Sequence, residues 1–186
     1  MESELELLRR ATVDESVTFI AETVRFIDFD AWVQRNDRRA SSISRVDLVA
    51  LPDEEPSPHW LVEVKDYRVL NHLPSEKTIR NMPAKLAAKI ADSLGYLRSA
   101  ELPEALRGLL PEGATCHFVF HCEMPREVPA CFPSGHSVNV VQKLRQNATL
   151  RRLVARIYLS DAASLETQED IPWTVELHDA RVSEGA

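Results

Sequence analysis

Hydrophobic and polar positions alternate through two short runs in the first half of the chain, residues 46–51 and residues 60–64. This alternation is typical of β-strands, and the intervening segment PDEEPSPH is rich in turn-forming residues. We therefore predict a β-hairpin. Because strand side chains repeat with a period of two, Glu63 and Lys65 share one face of the second strand, and Asp47 of the first strand can lie beside Glu63.

The N-terminal part of the chain carries patterns of two different periods. Apolar residues recur at helical spacing after residue 12, so residues 2–11 and 13–24 are predicted as helices. Several β-branched residues make a strand over 17–22 the alternative. Residues 25–34 alternate and predict the first strand, and the basic, polar residues 35–44 predict a loop.

Helical and strand patterns alternate after the hairpin. Ser75 is predicted to cap a helix that is interrupted at Pro83 and then resumes through Ala100. The later predictions are a turn or short helix over 101–113, a strand over 115–122, a long loop over 123–137, a basic helix over 138–155, a strand over 156–160, an acidic loop over 164–171 and a last strand or extended arm over 173–177. This order predicts an α/β fold, a mixed central β-sheet flanked by helices.

The length of 186 residues suits one domain, residues 1–186. We expect its core to span about residues 13–160, with an acidic C-terminal extension over 161–186. The chain has no apolar run long enough to span a membrane, and its acidic first residues lack the apolar core of a signal peptide. We therefore expect a cytoplasmic protein without a membrane partner.

Three charged residues of the predicted hairpin point to a metal site. Asp47, Glu63 and Lys65 lie within apolar strands, where an unpaired charge is costly to bury. Two neighbouring carboxylates repel each other unless a positive charge lies between them, and Mg²⁺ prefers such oxygen ligands. Lys65 would then hold an attacking water or stabilise charge on a phosphate. The alternative is an edge hairpin whose Lys65 forms an ordinary ion pair with Glu63 or Asp47.

Asp47, followed after fifteen residues by Glu63-Val64-Lys65, resembles the motif of the PD-(D/E)xK nuclease superfamily. Val46 stands where the family motif has proline. The resemblance implies a restriction-endonuclease-like core and a metal-dependent nuclease that hydrolyses phosphodiester bonds. Asp47 and Glu63 would hold Mg²⁺ or Mn²⁺ with the backbone carbonyl of Val64, and Lys65 would serve the water or the phosphate.

The same resemblance suggests accessory residues. In the family, the first helix often offers an acid to the site, for which Glu22 is the first candidate and Glu15 the second. The helix after the hairpin often directs a basic or amide side chain to the site, so Lys89 or Lys85 would neutralise phosphate. Solvent-facing charge is the alternative for all four residues. Arginines that can contact nucleic acid are Arg35, Arg38, Arg39, Arg68, Arg151 and Arg152.

The net charge of −7 is unusual for a protein that binds nucleic acid, but the charges are unevenly placed. Residues 1–34 and 157–186 are acidic, whereas residues 143–156 carry five basic and no acidic side chains. The basic residues can form a cationic face that meets nucleic acid, for which we expect DNA. The alternatives are that the acidic ends dock on a basic partner, or that the charges are solvated surface groups. Without a separate recognition domain, the chain is expected to act with a protein partner or as a homo-oligomer, for instance as a nuclease subunit of a DNA defence or repair complex. The alternative function is a non-catalytic binding or scaffold subunit with a nuclease-like fold.

Cysteine and histidine residues gather after residue 115, so a zinc site is the remaining metal alternative. They are Cys116, His117, His121, Cys122, Cys131 and His136. Their spacing fits no common zinc pattern, and an odd number of cysteines argues against a full disulfide framework. Cys116 and Cys122 fall on one face of a predicted strand, where thiols pack as small hydrophobic groups.

Overall fold

A computed structural model of the chain describes residues 5–37, 40, 42–68, 74–125 and 135–178. The strands are β1 (Arg10–Val13), β2 (Val17–Ala21), β3 (Val24–Asp28), β4 (Leu48–Pro52), β5 (His59–Asp66), β6 (Cys116–Glu123), β7 (Arg156–Ser160) and β8 (Trp173–Leu177). The helices are α1 (Phe29–Asn36), α2 (Glu76–Leu97), α3 (His136–Gln146), α4 (Leu150–Leu153) and α5 (Ala162–Leu165), with a 3₁₀ turn over Glu104–Leu106.

The described strands form two sheets that pack against each other. The larger sheet has the order β3-β4-β5-β6-β7, and the smaller has the order β1-β2-β8. In the larger sheet, β3, β4 and β5 are antiparallel, whereas β6 and β7 continue parallel to β5. The prediction of an α/β fold with a mixed sheet is confirmed.

Each face of the larger sheet covers its own hydrophobic core. On one face, residues such as Val49, Leu61 and Phe118 pack against Leu86 and Ile90 of α2. On the other face, neighbouring positions pack against the smaller sheet, with Val62 and Phe19 in the same cluster. The period of two along each strand therefore decides whether a side chain meets the helices or the second sheet.

The helices predicted over 2–11 and 13–24 are wrong, and the alternative of a strand over 17–22 is right. Residues 10–13 and 17–21 form the antiparallel pair β1–β2, and β8 pairs with the other side of β2. β2 carries buried residues on both faces, which suits its β-branched and aromatic side chains. Its apolar spacing fits a helix equally well, and pairing with both β1 and the distant strand β8 decides for a strand.

The strand predicted over 25–34 ends earlier than expected. β3 stops at Asp28, whose carboxylate accepts a hydrogen bond from the Ala31 N–H at 3.3 Å and so caps α1. The N–H groups of Phe29 and Asp30 donate to the carbonyl oxygen of Asp47, at 3.0 and 3.3 Å. A capping side chain and a backbone acceptor therefore convert the second half of this alternating segment into a helix.

Most predicted elements after the hairpin are present in the described part of the chain, whereas residues 126–134 of the loop predicted over 123–137 lie outside it. Ser75 caps α2 as predicted, but the helix continues through Pro83 without the interruption expected there. The helix predicted over 138–155 is divided into α3 and α4, because the side-chain carbonyl of Asn147 accepts the N–H groups of Thr149 and Leu150. No helix in the described ranges is both long and apolar enough to cross a membrane.

Residues beyond 160 take part in the packing. The segment predicted as an acidic loop over 164–171 begins in α5, and β8 follows as the predicted last strand. Trp173, Leu165 and Ile171 are buried in the core between the two sheets. The C-terminal segment thus supplies one strand of the smaller sheet and part of its core.

Candidate functional site

The hairpin brings Asp47 and Glu63 together on neighbouring inner strands of the larger sheet, towards the C-terminal end of β5. Leu48 pairs with Val62, so the residue before Leu48 lies beside the residue after Val62. Asp47 and Glu63 have the same parity as Val49 and Leu61, and they therefore face α2. Lys65 projects on this face as well. The strand period thus places three charged groups together at the end of β5.

Hydrogen bonds from β5, α1 and α2 fix Asp47 and the residue before it. Its carboxylate oxygen Oδ2 accepts the Val64 N–H at 2.7 Å, across the hairpin. Its carbonyl oxygen receives two N–H groups from the first turn of α1. The preceding N–H, of Val46, donates to Oγ of the fully buried Ser93 in α2, at 3.0 Å. These bonds fix the position of the carboxylate before any ligand arrives.

Glu63 is fully buried and is contacted by two ammonium groups. Lys89 Nζ of α2 lies 2.8 Å from each carboxylate oxygen of Glu63 and 3.7 Å from Asp47 Oδ1. Lys65 Nζ lies 2.7 Å from Glu63 Oε1 and 2.9 Å from the carbonyl oxygen of Val64. The four side chains form one cluster of two negative and two positive groups.

Burial and like charge perturb the pKa of Asp47. Burial, reinforced by repulsion from Glu63, raises the pKa of Asp47 from its ordinary 3.8 to about 6, although Lys65 and Lys89 act in the opposite direction. Burial alone would lower the pKa of Lys65, but Glu63 and Asp47 raise it above its ordinary value. Lys65 therefore stays protonated at neutral pH and can serve as a cationic donor.

Of the accessory candidates Lys89, Lys85 and Glu22, the structure brings Lys89 to the site. Lys89 contacts both carboxylates, whereas Lys85, one helical turn earlier, is exposed and has no ion pair with either of them in the described ranges. Glu22 lies where β2 leads into β3, at the end of the larger sheet opposite Asp47. The expectation that Glu22 serves the site is therefore wrong.

The turn between β1 and β2, unlike Glu22, lies near the site. Asp14 and Glu15 both have positive φ, at 49° and 56°, which is uncommon for residues other than glycine. Asp14 is among the charges that raise the pKa of Lys65, although burial, Glu63 and Asp47 have larger effects. Glu15, the second accessory candidate, is its neighbour in this turn.

The described arginines that were predicted to contact nucleic acid lie on different parts of the structure. Arg68 pairs with Asp66 at 2.7 Å and donates to the carbonyl of Ser16 at 2.9 Å, which ties the end of β5 to the β1–β2 turn. Arg151 and Arg152 are exposed on α4, which leads into the start of β7. The start of β7 is level with the start of β5, at the other end of the sheet from Glu63.

The remaining basic candidates lie around the C-terminal end of α1. Arg35 is exposed in the last turn of α1, where its Nε donates to the carbonyl of Ala31 at 3.1 Å. Arg38 and Arg39 lie outside the described residues.

Ser93 and Asp92 are site residues that the sequence analysis did not select. Ser93 receives the Val46 N–H, and the Asp92 carboxylate receives the N–H of Ser44 at 3.3 Å. Both lie one turn after Lys89, so α2 positions the chain before Asp47 as well as the two carboxylates. A serine among the apolar positions of a predicted core helix is the signal that identifies Ser93, because a buried hydroxyl needs a partner.

The donor atoms at this site suit a hard cation. Asp47, Glu63 and the Val64 carbonyl offer oxygen atoms only. Mg²⁺ in proteins is commonly held by one or two carboxylates, and water and substrate phosphate complete its coordination. In the described part of the chain, no group of three or more His, Cys, Asp or Glu side chains is arranged to hold a metal ion. A magnesium ion here would therefore rest on two carboxylates and a carbonyl, a set that fits its chemistry.

The thiols do not belong to this set of donors. Cys116 and Cys122 are buried free cysteines, and burial raises the pKa of Cys122 to about 12. Cys131 lies outside the described residues.

Comparison with known proteins adds no family to these observations. No family model, no curated protein and no solved structure matches the chain.

Proposed function

We propose that the protein is a metal-dependent nuclease of the PD-(D/E)xK type, acting on phosphodiester bonds of nucleic acid. The observation that carries the proposal is the convergence of Asp47 and the fully buried Glu63 with Lys65 and Lys89, towards the C-terminal end of β5. A buried carboxylate in a cluster of this kind is costly to maintain, and such clusters are concentrated at functional sites.

The order of elements supports the same assignment. The strands β3, β4 and β5 are antiparallel, α2 follows, and β6 then pairs parallel to β5. The two acids and Lys65 lie at the end of β5 that α2 covers, where Lys89 joins them. The common location of Asp47, Glu63 and Lys65 beside α2 supports the roles that we propose for them.

The residues of the site have different roles in this proposal. Asp47, Glu63 and the carbonyl of Val64 would hold Mg²⁺ or Mn²⁺, which when bound polarises a phosphate and lowers the pKa of a bound water. Lys65, one-third exposed in its side chain, can donate to a water or to a phosphate oxygen at the edge of the site. The hydrogen bonds to Asp47 keep its carboxylate in place, so little reorganisation is required when substrate binds.

We propose DNA as the nucleic acid, with a protein partner or a second copy of the chain supplying target recognition. The arginines on α4 and the carboxylates of the site lie at opposite ends of the sheet. A substrate held by both would therefore have to extend along the protein.

The test is cleavage of labelled linear, circular and single-stranded DNA, and of RNA, in Mg²⁺ and in Mn²⁺. Asp47→Ala and Lys65→Ala are compared with the wild-type protein, and the exposed Lys77→Ala serves as a matched control on α2. We expect metal-dependent cutting that both site variants abolish and that Lys77→Ala retains. Cutting that survives in Asp47→Ala and Lys65→Ala would contradict the proposal.

A scaffold subunit with the same fold is the second candidate function. It is favoured by the balance of charge in the cluster, since two ammonium groups compensate the two carboxylates without any ligand. Complete absence of cutting and of Mn²⁺ binding by the wild-type protein would favour this function over the nuclease.

A further inference from the structure

We propose that Lys89 is an internal competitor of the divalent cation, occupying the space between the carboxylates until the cation displaces its ammonium group. The inference rests on the proposed function, because it assigns a means of regulation to the same metal site. It predicts that the wild-type protein binds metal more weakly than its two carboxylates alone would allow.

The geometry distinguishes Lys89 from Lys65. Lys89 Nζ contacts both oxygens of Glu63 and reaches Asp47 Oδ1 at 3.7 Å, so one ammonium group bridges the two carboxylates. Lys65 Nζ lies 2.7 Å from Glu63 Oε1 and 2.9 Å from the carbonyl oxygen of Val64, and among the described residues it forms no ion pair with Asp47. A cation shared by Asp47 and Glu63 would need the oxygens that Lys89 bridges.

The Lys89 side chain is more exposed than the Glu63 carboxylate that it contacts. The second oxygen of Asp47 already receives the Val64 N–H at 2.7 Å, and Glu63 is fully buried. The Lys89 side chain is 24 % exposed, so the ammonium group has a route towards solvent along the flexible side chain. Displacement therefore exchanges one partly buried ion pair for metal coordination and leaves the ammonium group near the site, where it can meet a phosphate.

If Lys89 competes with the metal, removal of its charge should change the metal affinity in the opposite direction from removal of a residue that supports the site. Removing a group that merely supports the site would weaken metal binding. Removing a competing positive charge should strengthen it, because the carboxylates no longer have to give up an ion pair and the local repulsion of the cation falls. We expect Lys89→Met to bind Mn²⁺ about tenfold more tightly than the wild-type protein, a change equivalent to about 1.4 kcal/mol.

The experiment is a calorimetric titration of metal-free full-length protein with Mn²⁺ at pH 7.5, in the absence of nucleic acid. Lys89→Met and Lys89→Gln both remove the charge with side chains of similar length, so either can be used if the other does not fold. Lys85→Met is the matched control, because it removes the same charge one helical turn away from an exposed position. Its Mn²⁺ affinity should stay within about twofold of the wild-type value, since exposed charges are screened by salt.

Each outcome separates the inference from the function on which it rests. Tighter binding by the Lys89 variants alone supports competition. Equal or weaker binding by folded Lys89 variants, with clear binding by the wild-type protein, overturns the inference and leaves the metal site intact. Equal tightening by Lys85→Met would show a general charge effect and would also overturn it. Absence of binding in every protein would overturn both the competition and the metal site.

Discussion

Replacement of Asp47 by Asn should stabilise the protein at neutral pH. The pKa of Asp47 is raised from 3.8 to about 6, chiefly by burial and then by Glu63, so ionisation of Asp47 is costlier in the folded chain than in the unfolded chain. A difference of about two pKa units corresponds to about 3 kcal/mol. Asparagine carries no charge and keeps an oxygen that can accept the Val64 N–H, so this cost would be removed without loss of that bond.

The sign of the effect depends on pH. Above pH 6 Asp47 is ionised in both the folded and the unfolded chain, and the full cost of the buried charge is present. As pH falls through 6 the folded protein takes up the proton before the unfolded chain does, and the cost is relieved by about pH 4. The advantage of Asp47→Asn should therefore be up to about 3 kcal/mol at pH 7.5 and close to zero at pH 4.

The assay is urea unfolding of both proteins at pH 7.5 and pH 4 in a chelating buffer, which removes any stabilisation by bound metal. The exposed Glu112→Gln variant changes net charge by the same amount and should show no comparable gain. A loss of stability in Asp47→Asn at pH 7.5, or a gain of equal size at both pH values, would refute the reasoning.

Two further substitutions test how the site and the sheet edge are supported. Ser93→Ala should lower the free energy of unfolding by about 1–3 kcal/mol, because the buried Val46 N–H loses its acceptor. Ser57→Ala at an exposed position should change the free energy of unfolding little. Equal stability of the two variants would contradict the role of Ser93 as acceptor for Val46. Arg145→Ala should promote concentration-dependent self-association, measured by analytical ultracentrifugation, because Arg145 donates to the carbonyl of Ile157 on the edge strand β7. Unchanged sedimentation would show that Arg145 does not protect the edge.

The hairpin and its charged face could be predicted because both depend on local patterning. The period of two over residues 60–64 places Glu63 and Lys65 on one face, and the turn-rich segment before them identifies the antiparallel partner. The helical period of α2 likewise brings Lys89 to the flank of a core stripe. Its contact with Glu63 depends on how α2 docks on the sheet, which the pattern does not specify.

β2 and α1 could not be predicted in the same way because each depends in part on a partner that is distant in sequence. β2 is stabilised by pairing with β8, more than 150 residues later, and its apolar spacing also fits one face of a helix. α1 forms because its first N–H groups find the carbonyl of Asp47, a contact between separate segments. Ser93 was missed for a related reason, since its partner is a backbone N–H that a side-chain pattern does not reveal.

The most direct test of the central claim is to locate Mn²⁺ in crystals of the protein by anomalous scattering. We predict one peak within coordination distance of the carboxylate oxygens of Asp47 and Glu63, with the ammonium group of Lys89 displaced from its position between them. Well-ordered Asp47 and Glu63 with Lys89 still bridging them, and no peak at saturating Mn²⁺, would contradict the assignment of this cluster as a metal site.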